Sequence, residues 1–251
     1  MQKVISLVLS VLMFGTLIIT NEIKSFAESE KTAVVKSNSC FNRSIKIEGK
    51  SIKKNMSYYQ MDVNIPVVKG LKDKKLEKQQ NSEIENKILT FASKLEKDGE
   101  AYEKLAIKKG FPIHFYELVV DYKVQYNKNN LLSYTMDVYY YTGGAHGMTE
   151  RYAYNIDNKT SKILKLHDLF KRDYNYKEII NNDIMEEIKE SPESAYFPNE
   201  FKTIADNQSF YLTDKGIVIY FGLYEIAPYA TGIPEFTIPA ELFKDSLVYK
   251  I

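Results

Sequence analysis

Few residues in this chain have the types and spacing that could do chemistry. It holds three histidines, His114, His146 and His167. A three-histidine zinc site would need all of them, and they share no local ligand spacing, so no metal and no cofactor are expected. The strongest single feature is the run Tyr141-Thr142-Gly143-Gly144-Ala145-His146-Gly147. Its glycines permit positive φ and close backbone approach, which would present His146 at a sheet edge. As a catalytic base, His146 would need a nucleophile and an orienting carboxylate within reach. Asp137 on the adjacent strand should point across the sheet, and no Gly-x-Ser-x-Gly elbow supplies a serine. The favoured reading has His146 hydrogen-bonded within its own loop or to a neighbouring strand. No Gly-Lys-Ser/Thr follows, so the loop is not a phosphate cradle.

Glu225 and Glu235 are the one pair of acids that the order of elements places near each other. Two converging carboxylates are what a glycosidase requires. They flank a segment, Tyr224 to Pro239, that contains Pro228, Gly232, Pro234 and Pro239. Such a loop suits recognition, because prolines lower the entropy cost of binding and tyrosines give large contacts with few rotors. The contact residues expected are Pro228 and Tyr229, with His146, Tyr141 and Glu225 beside them. The alternative for this loop is a plain strand connection whose tyrosines pack inward.

Elements able to hold these residues follow from composition and periodicity. The 251 residues carry a net charge of +1, with 34 basic and 33 acidic side chains. Nucleic acid is therefore excluded as a partner, since counterion release needs a basic excess. A hydrophobic share of 44% is ample for a core and excludes a disordered tail. Lys3 followed by the uncharged run Val4 to Thr20 reads as an export signal, with cleavage expected after Ala27 in Ser25-Phe26-Ala27. A retained anchor is the alternative, and it would be the chain's only membrane contact. Residues 28–43 read as a linker, and Cys40, the single cysteine, excludes an internal disulfide.

Beyond the linker, Tyr59, Met61, Val63, Ile65 and Val67 alternate with polar residues as a half-buried strand. Ile84, Ile88, Phe91 and Leu95 then form one apolar stripe in a Lys/Glu-rich helical segment over 72–109, which Gly99 is expected to kink or divide, giving one long helix or two shorter ones. Alternation over Tyr116 to Tyr126 and Leu132 to Tyr140, about the turn Lys128-Asn129-Asn130, predicts an antiparallel hairpin. A third strand over Tyr152 to Ile156 and a short fourth over Ile163 to Leu166 extend it into a meander. Asp168 reads as a helix cap, and Tyr176, Ile180, Ile184 and Ile188 as the stripe of a second helix. Strands follow at Phe210 to Thr213, at Ile217 to Phe221, which is apolar on both faces, and at Phe236 to Ile238.

The glycine loop, Leu166-His167-Asp168-Leu169-Phe170, Phe210-Tyr211-Leu212-Thr213 and Tyr224-Glu225-Ile226-Ala227-Pro228-Tyr229-Ala230 together resemble the paired extracellular domains of the anti-sigma-V factor family. The same pair is similar to the noncatalytic amino-terminal region of a Gram-positive peptidoglycan deacetylase. The resemblance implies an α+β fold of antiparallel meander sheets packed with helices, in two closely associated subdomains. One would be deacetylase-N-terminal-like over 44–147, the other anti-sigma-V-C-terminal-like over 148–251. In the anti-sigma relative the pair sits outside the cell on a transmembrane helix and binds lysozyme, which triggers proteolysis and frees the sigma factor. The resemblance thus implies a secreted or surface-held noncatalytic binding module, with a lysozyme-like muramidase or cell-wall glycan as partner. No sigma-binding segment precedes the apolar run and no deacetylase domain follows Ile251, so neither sigma release nor deacetylation is expected. Lysozyme is strongly basic, so Glu225 and Glu235 are expected on the partner surface. The competing class is a cell-wall polysaccharide hydrolase or deacetylase-like enzyme using His146 or the Glu225/Glu235 pair.

Overall fold

Period-two alternation builds the first sheet, whose six strands lie in the order β1 to β6. They are β1 (Lys46–Asn55), β2 (Tyr59–Lys69), β3 (Tyr116–Lys128), β4 (Leu131–Tyr141), β5 (Met148–Asp157) and β6 (Lys162–Ile163). This is the computed structural model of the chain, and it describes residues 45–251. The export segment over 1–27, the linker over 28–43 and Cys40 lie outside the described residues. Arg43–Ile251 forms a single unit within which both hydrophobic cores close. No helix among the described residues is long and apolar enough to cross a membrane.

The α+β class and the hairpin β3–β4 are as expected, with Asn129 and Asn130 supplying the positive φ angles of 54° and 63° that a tight hairpin turn requires. Three features depart from the sequence reading. Strand β1 carries mostly lysine, serine and glycine, so no apolar period announced it. It is an exposed edge strand, and its lysines discourage pairing with another chain. Next, β2 and β3 pair in parallel, with Tyr59 opposite Tyr116. The pairing is parallel because a long helix, α1 (Lys74–Lys109), crosses over between them and returns the chain in the same direction. Finally, the fourth strand is only two residues long, because Leu166–Leu169 turns into a 3-10 helix. The boundary expected between residues 147 and 148 falls between β4 and β5, which hydrogen-bond to each other in this sheet.

Helix α1 is continuous through Gly99, so of the two readings for this segment the single long helix holds and the division does not. That glycine is buried against β2 and β3, and a methyl there would sit 2.7 Å from the Tyr58 carbonyl oxygen. Gly99 is thus a point of close approach and not a hinge. Asp73 caps the helix start by accepting from the Lys75 and Leu76 N–H groups at 2.8 and 3.0 Å, and Gly110, at φ 70°, ends it. Its buried stripe is Ile84, Ile88, Ala92 and Leu95, which packs on one sheet face with Val63, Leu118, Val120, Tyr134 and Met136. Phe91 is only partly buried at the side of this contact.

The second sheet is β7 (Phe210–Thr213), β8 (Gly216–Tyr220) and β9 (Glu235–Pro239), all antiparallel. Its central strand β8 is buried throughout, as two-faced apolarity predicts. Helix α2 (Tyr176–Glu190) lays Ile180 and Ile184 onto this sheet against Ile217, Ile219, Phe236 and Ile238. Asp168 does not start α2. It caps the 3-10 turn, accepting from the Lys165 N–H at 2.9 Å, and α2 begins later, after Asn175.

Strand β4 is buried on both faces. Leu132, Tyr134, Met136 and Val138 face α1, whereas Ser133, Thr135 and Asp137 face the second sheet. Opposite them on β5 stand Asn155, Ala153 and Arg151. Ser133 Oγ donates to Asn155 Oδ1 at 2.6 Å and accepts from the Leu212 N–H at 2.9 Å, while Asn155 Nδ2 donates to the Phe210 carbonyl at 2.9 Å. Arg151 binds Asp137 through two hydrogen bonds of 2.6 Å and also pairs with Glu235 on β9. A row of polar cross-strand pairs on the first sheet therefore carries the outer strands of the second.

Ser133→Ala leaves the Leu212 N–H and the Asn155 amide oxygen buried without partners, so it should cost about 2–3 kcal/mol of stability, measured by urea unfolding. The tyrosines give a second expectation. Burial, helped by Glu96, pushes the Tyr59 phenol up to about 12, and burial, helped by Tyr220 and Glu83, does the same for Tyr154. A phenol that holds its proton more tightly when folded contributes stability that is complete below about pH 10 and is lost as pH rises towards 12. Unfolding free energy should therefore fall across that interval as Tyr59 and Tyr154, with the other buried phenols, release protons on unfolding, read by tyrosinate absorbance.

Candidate functional site

The Pro/Gly loop is pinned by the two apolar residues between Glu225 and Pro228. Ile226 and Ala227 are buried in the second core. Pro228, with φ at −67°, leads into a 3-10 turn over Tyr229–Thr231 that Gly232 terminates at φ 77°. Thr231 Oγ1 donates to the Ala195 carbonyl at 2.7 Å, which ties the turn to the chain after α2. Anchoring the middle of the loop leaves Tyr224 on one side and Tyr229 on the other. Tyr224 has φ at 65°, a region a bulky residue adopts at a cost of about 1–3 kcal/mol, and it is 47% exposed.

Both tyrosines converge on His146. The imidazole stacks on Tyr229 with ring centroids 3.7 Å apart and an interplanar angle of 18°. Its Nδ1 lies 2.9 Å from the Gly147 carbonyl, and its Nε2 lies 3.2 Å from the Tyr224 hydroxyl. A carbonyl only accepts, so Nδ1 carries the proton, and Nε2 offers its lone pair to the Tyr224 O–H. The two nitrogens are thus engaged, and no carboxylate orients the ring. Gly147 packs flat on the Tyr139 ring, where any side chain would collide, and burial together with Glu117 and Tyr229 pushes the Tyr139 phenol up. Tyr141 closes the glycine loop by donating to the Gly144 carbonyl at 2.9 Å. Gly143, at φ 99°, lies against the His114 ring, whose Nε2 is 3.2 Å from the Thr142 carbonyl.

The structure brings together His146 and Tyr229, with Pro228 next to Tyr229, and adds Tyr224; Tyr141 instead packs by the His114 and Phe115 rings. Tyr224 could not be singled out from sequence, because its backbone angle has no compositional signature. Glu225 and Glu235 are engaged separately. Glu225 Oε2 accepts from the Gly222 N–H at 2.7 Å and shapes the loop, whereas Glu235 pairs with Arg151 and, through it, joins Asp137. His114 precedes β3 and packs 4.0 Å from Tyr102, and His167 lies 3.4 Å from Asp168. The three histidines therefore occupy three different places. Among the described residues no group of three or more His, Cys, Asp or Glu side chains is arranged to hold a metal ion.

Comparison with known proteins places this geometry. Residues 52–149 match the family described as "Deacetylase PdaC", and residues 167–241 match "Protein of unknown function (DUF3298)". The chain is 32% identical over 207 residues to the anti-sigma-V factor RsiV of Bacillus subtilis strain 168, covering 78% of this chain and 68% of that protein. The chain belongs to the RsiV family. It is also 29% identical over 136 residues to the peptidoglycan-N-acetylmuramic acid deacetylase PdaC of the same organism, spanning 52% of this chain and 29% of the deacetylase. Two solved DUF3298-family proteins share the fold. One, from Bacteroides fragilis, superposes with a TM-score of 0.63 at 24% identity, over 82% of this chain and 95% of its own. The other, from Pseudomonas aeruginosa, gives 0.50 at 19% identity, over 81% and 93%. The platform spans both matched segments: the glycine loop lies in the PdaC match and the Pro/Gly loop in the DUF3298 match.

The tautomer has a direct readout. Long-range proton–nitrogen spectra should show His146 protonated at Nδ1 at neutral pH, and Tyr224→Phe should move the Nε2 resonance while leaving the Nδ1 proton in place.

Proposed function

We propose that this RsiV-family chain is a noncatalytic recognition module of the Gram-positive cell envelope, and that it binds a lysozyme-like muramidase through the Tyr224–His146–Tyr229 platform. One observation carries the reading. Two loops far apart in sequence meet in an exposed aromatic surface whose histidine nitrogens are already used. Preorganised aromatic rings give large contact area at low entropic cost, which is the character of a binding hot spot. Kinship with an anti-sigma factor and a peptidoglycan deacetylase supports a place in the envelope, and the expected export signal agrees with it. Glu225, exposed at the loop, provides the acid that a basic partner would meet. Glu235 is neutralised by Arg151 and contributes less.

The engaged nitrogens of His146 and the separate roles of Glu225 and Glu235 speak against a hydrolase. A nucleophile would need a free base, and a glycosidase would need two unencumbered carboxylates.

Titration calorimetry with a c-type lysozyme at low ionic strength should give saturable one-to-one binding that weakens with added salt. Tyr229→Ala should weaken it about 30-fold, the range of an aromatic hot spot. Purified peptidoglycan incubated with the protein should release no reducing ends. Absence of lysozyme binding would overturn the reading, and product release abolished by His146→Ala would replace it with an enzyme.

A further inference from the structure

The far end of α1 displays an apolar surface that the platform does not use. Leu105 is 48% exposed and Ile107 66%, and the connection to β3 adds Phe111 at 53%, Ile113 at 54% and Phe115 at 38%. Single exposed apolar side chains are ordinary on a protein surface, but five within the eleven residues 105–115 around one helix end mark a contact.

This display is held in place. The chain reverses at Gly110, whose left-handed backbone ends the helix, and the Phe111 N–H returns to the Ala106 carbonyl at 3.0 Å. Tyr102 donates its hydroxyl to the Pro112 carbonyl at 2.9 Å, and its ring packs on His114. Ala106, fully buried, faces inward and fixes which sides of the last turns point out. These bonds fix the turn that carries the exposed apolar residues.

The charge around the tip is mixed with a lysine excess, Lys104, Lys108 and Lys109 against Glu100 and Glu103. Lys104, Lys108 and Lys109 flank the apolar group; Lys104 is held by Glu100 at 2.5 Å, while Lys108 and Lys109 have no carboxylate within 4.0 Å among the described residues. A lysine collar opposes a basic protein partner at this place. It complements an anionic surface, and a wedge of Phe, Ile and Leu ringed by lysine is the arrangement that enters a bilayer interface, apolar groups below the headgroups and ammonium groups among them. We infer that the α1 tip, Leu105 to Phe115, docks onto an anionic lipid surface. This is a membrane contact additional to any made by the amino-terminal segment, and its residues are not those of the Tyr224–His146–Tyr229 platform, although Phe115 lies against Tyr141 at the start of the glycine loop.

Vesicle flotation tests it, using the chain from Arg43, the unit in which both cores close, so that residues 4–20 cannot contribute. Phosphatidylglycerol vesicles should bind the protein at least about tenfold more strongly than phosphatidylcholine vesicles, and salt should release it. Phe111→Ser with Ile113→Ser should lower binding at least about tenfold. Lys108→Gln with Lys109→Gln should lower it about 30-fold on the anionic vesicles alone. These exposed positions should leave the thermal midpoint unchanged, which separates loss of docking from loss of fold. Equal binding to both lipids, no binding, or variants that float like the unaltered chain would overturn the inference. So would a dimer abolished by the Phe111/Ile113 substitutions, which would assign the tip to a second copy. Lysozyme affinity unchanged in those variants would show that the two surfaces stand or fall separately.

Discussion

A polar seam between the two sheets, buried at Ser133 and Asn155 and open to solvent at Asp137 and Glu235, is the constraint on which the rest of the molecule depends. Ser133 and Asn155 satisfy each other and the backbone of β7, and Arg151 gathers Asp137 from β4 and Glu235 from β9. Buried polar groups are costly unless every partner is met. Directional bonds of this kind therefore specify one relative placement of the sheets, where an apolar contact would tolerate sliding. The Tyr220 hydroxyl, donating to the Arg151 carbonyl at 3.2 Å, extends the same seam to β8.

That placement creates the aromatic platform. The glycine loop leaves the end of β4, and the Pro/Gly loop links β8 to β9. Strands β4 and β5 carry one half of the seam, and β7 and β9 the other. A shift of one sheet against the other would separate His146 from Tyr224 and Tyr229. The local backbone serves the same end, since Gly147 lets Tyr139 lie flat beneath the loop and Ile226 with Ala227 hold the tyrosines' loop in the core.

Much of the architecture was legible. The stripe of α1, the β3–β4 hairpin, α2 and the doubly apolar strand β8 all follow from periodicity, because each buries a face whose residues recur at the element's own repeat. Strand β1 escaped notice because an edge strand facing water needs no apolar period. Gly99 was misread for a related reason: a glycine inside a helical pattern announces either a break or a close approach, and only the neighbouring Tyr58 carbonyl decides which. The parallel pairing of β2 with β3 was equally hidden, since strand direction depends on where a long crossover returns.

By itself the sequence determined the α+β class, most of the elements, the family resemblance and the two loops proposed for recognition, since these are properties of local period, turn chemistry and motif. Only the tertiary structure decided what the polar faces of β4 and β5 do. Ser133, Thr135 and Asp137 alternate with apolar residues in a pattern that reads as solvated, yet they are covered by the second sheet. A pattern of one strand records which residues share a face and not what lies against it. The same reason governs the site. Tyr224, His146 and Glu235 gain their roles from partners more than sixty residues away in the chain for the first two and from Arg151 on another sheet for the third, and those meetings exist only once the seam has closed.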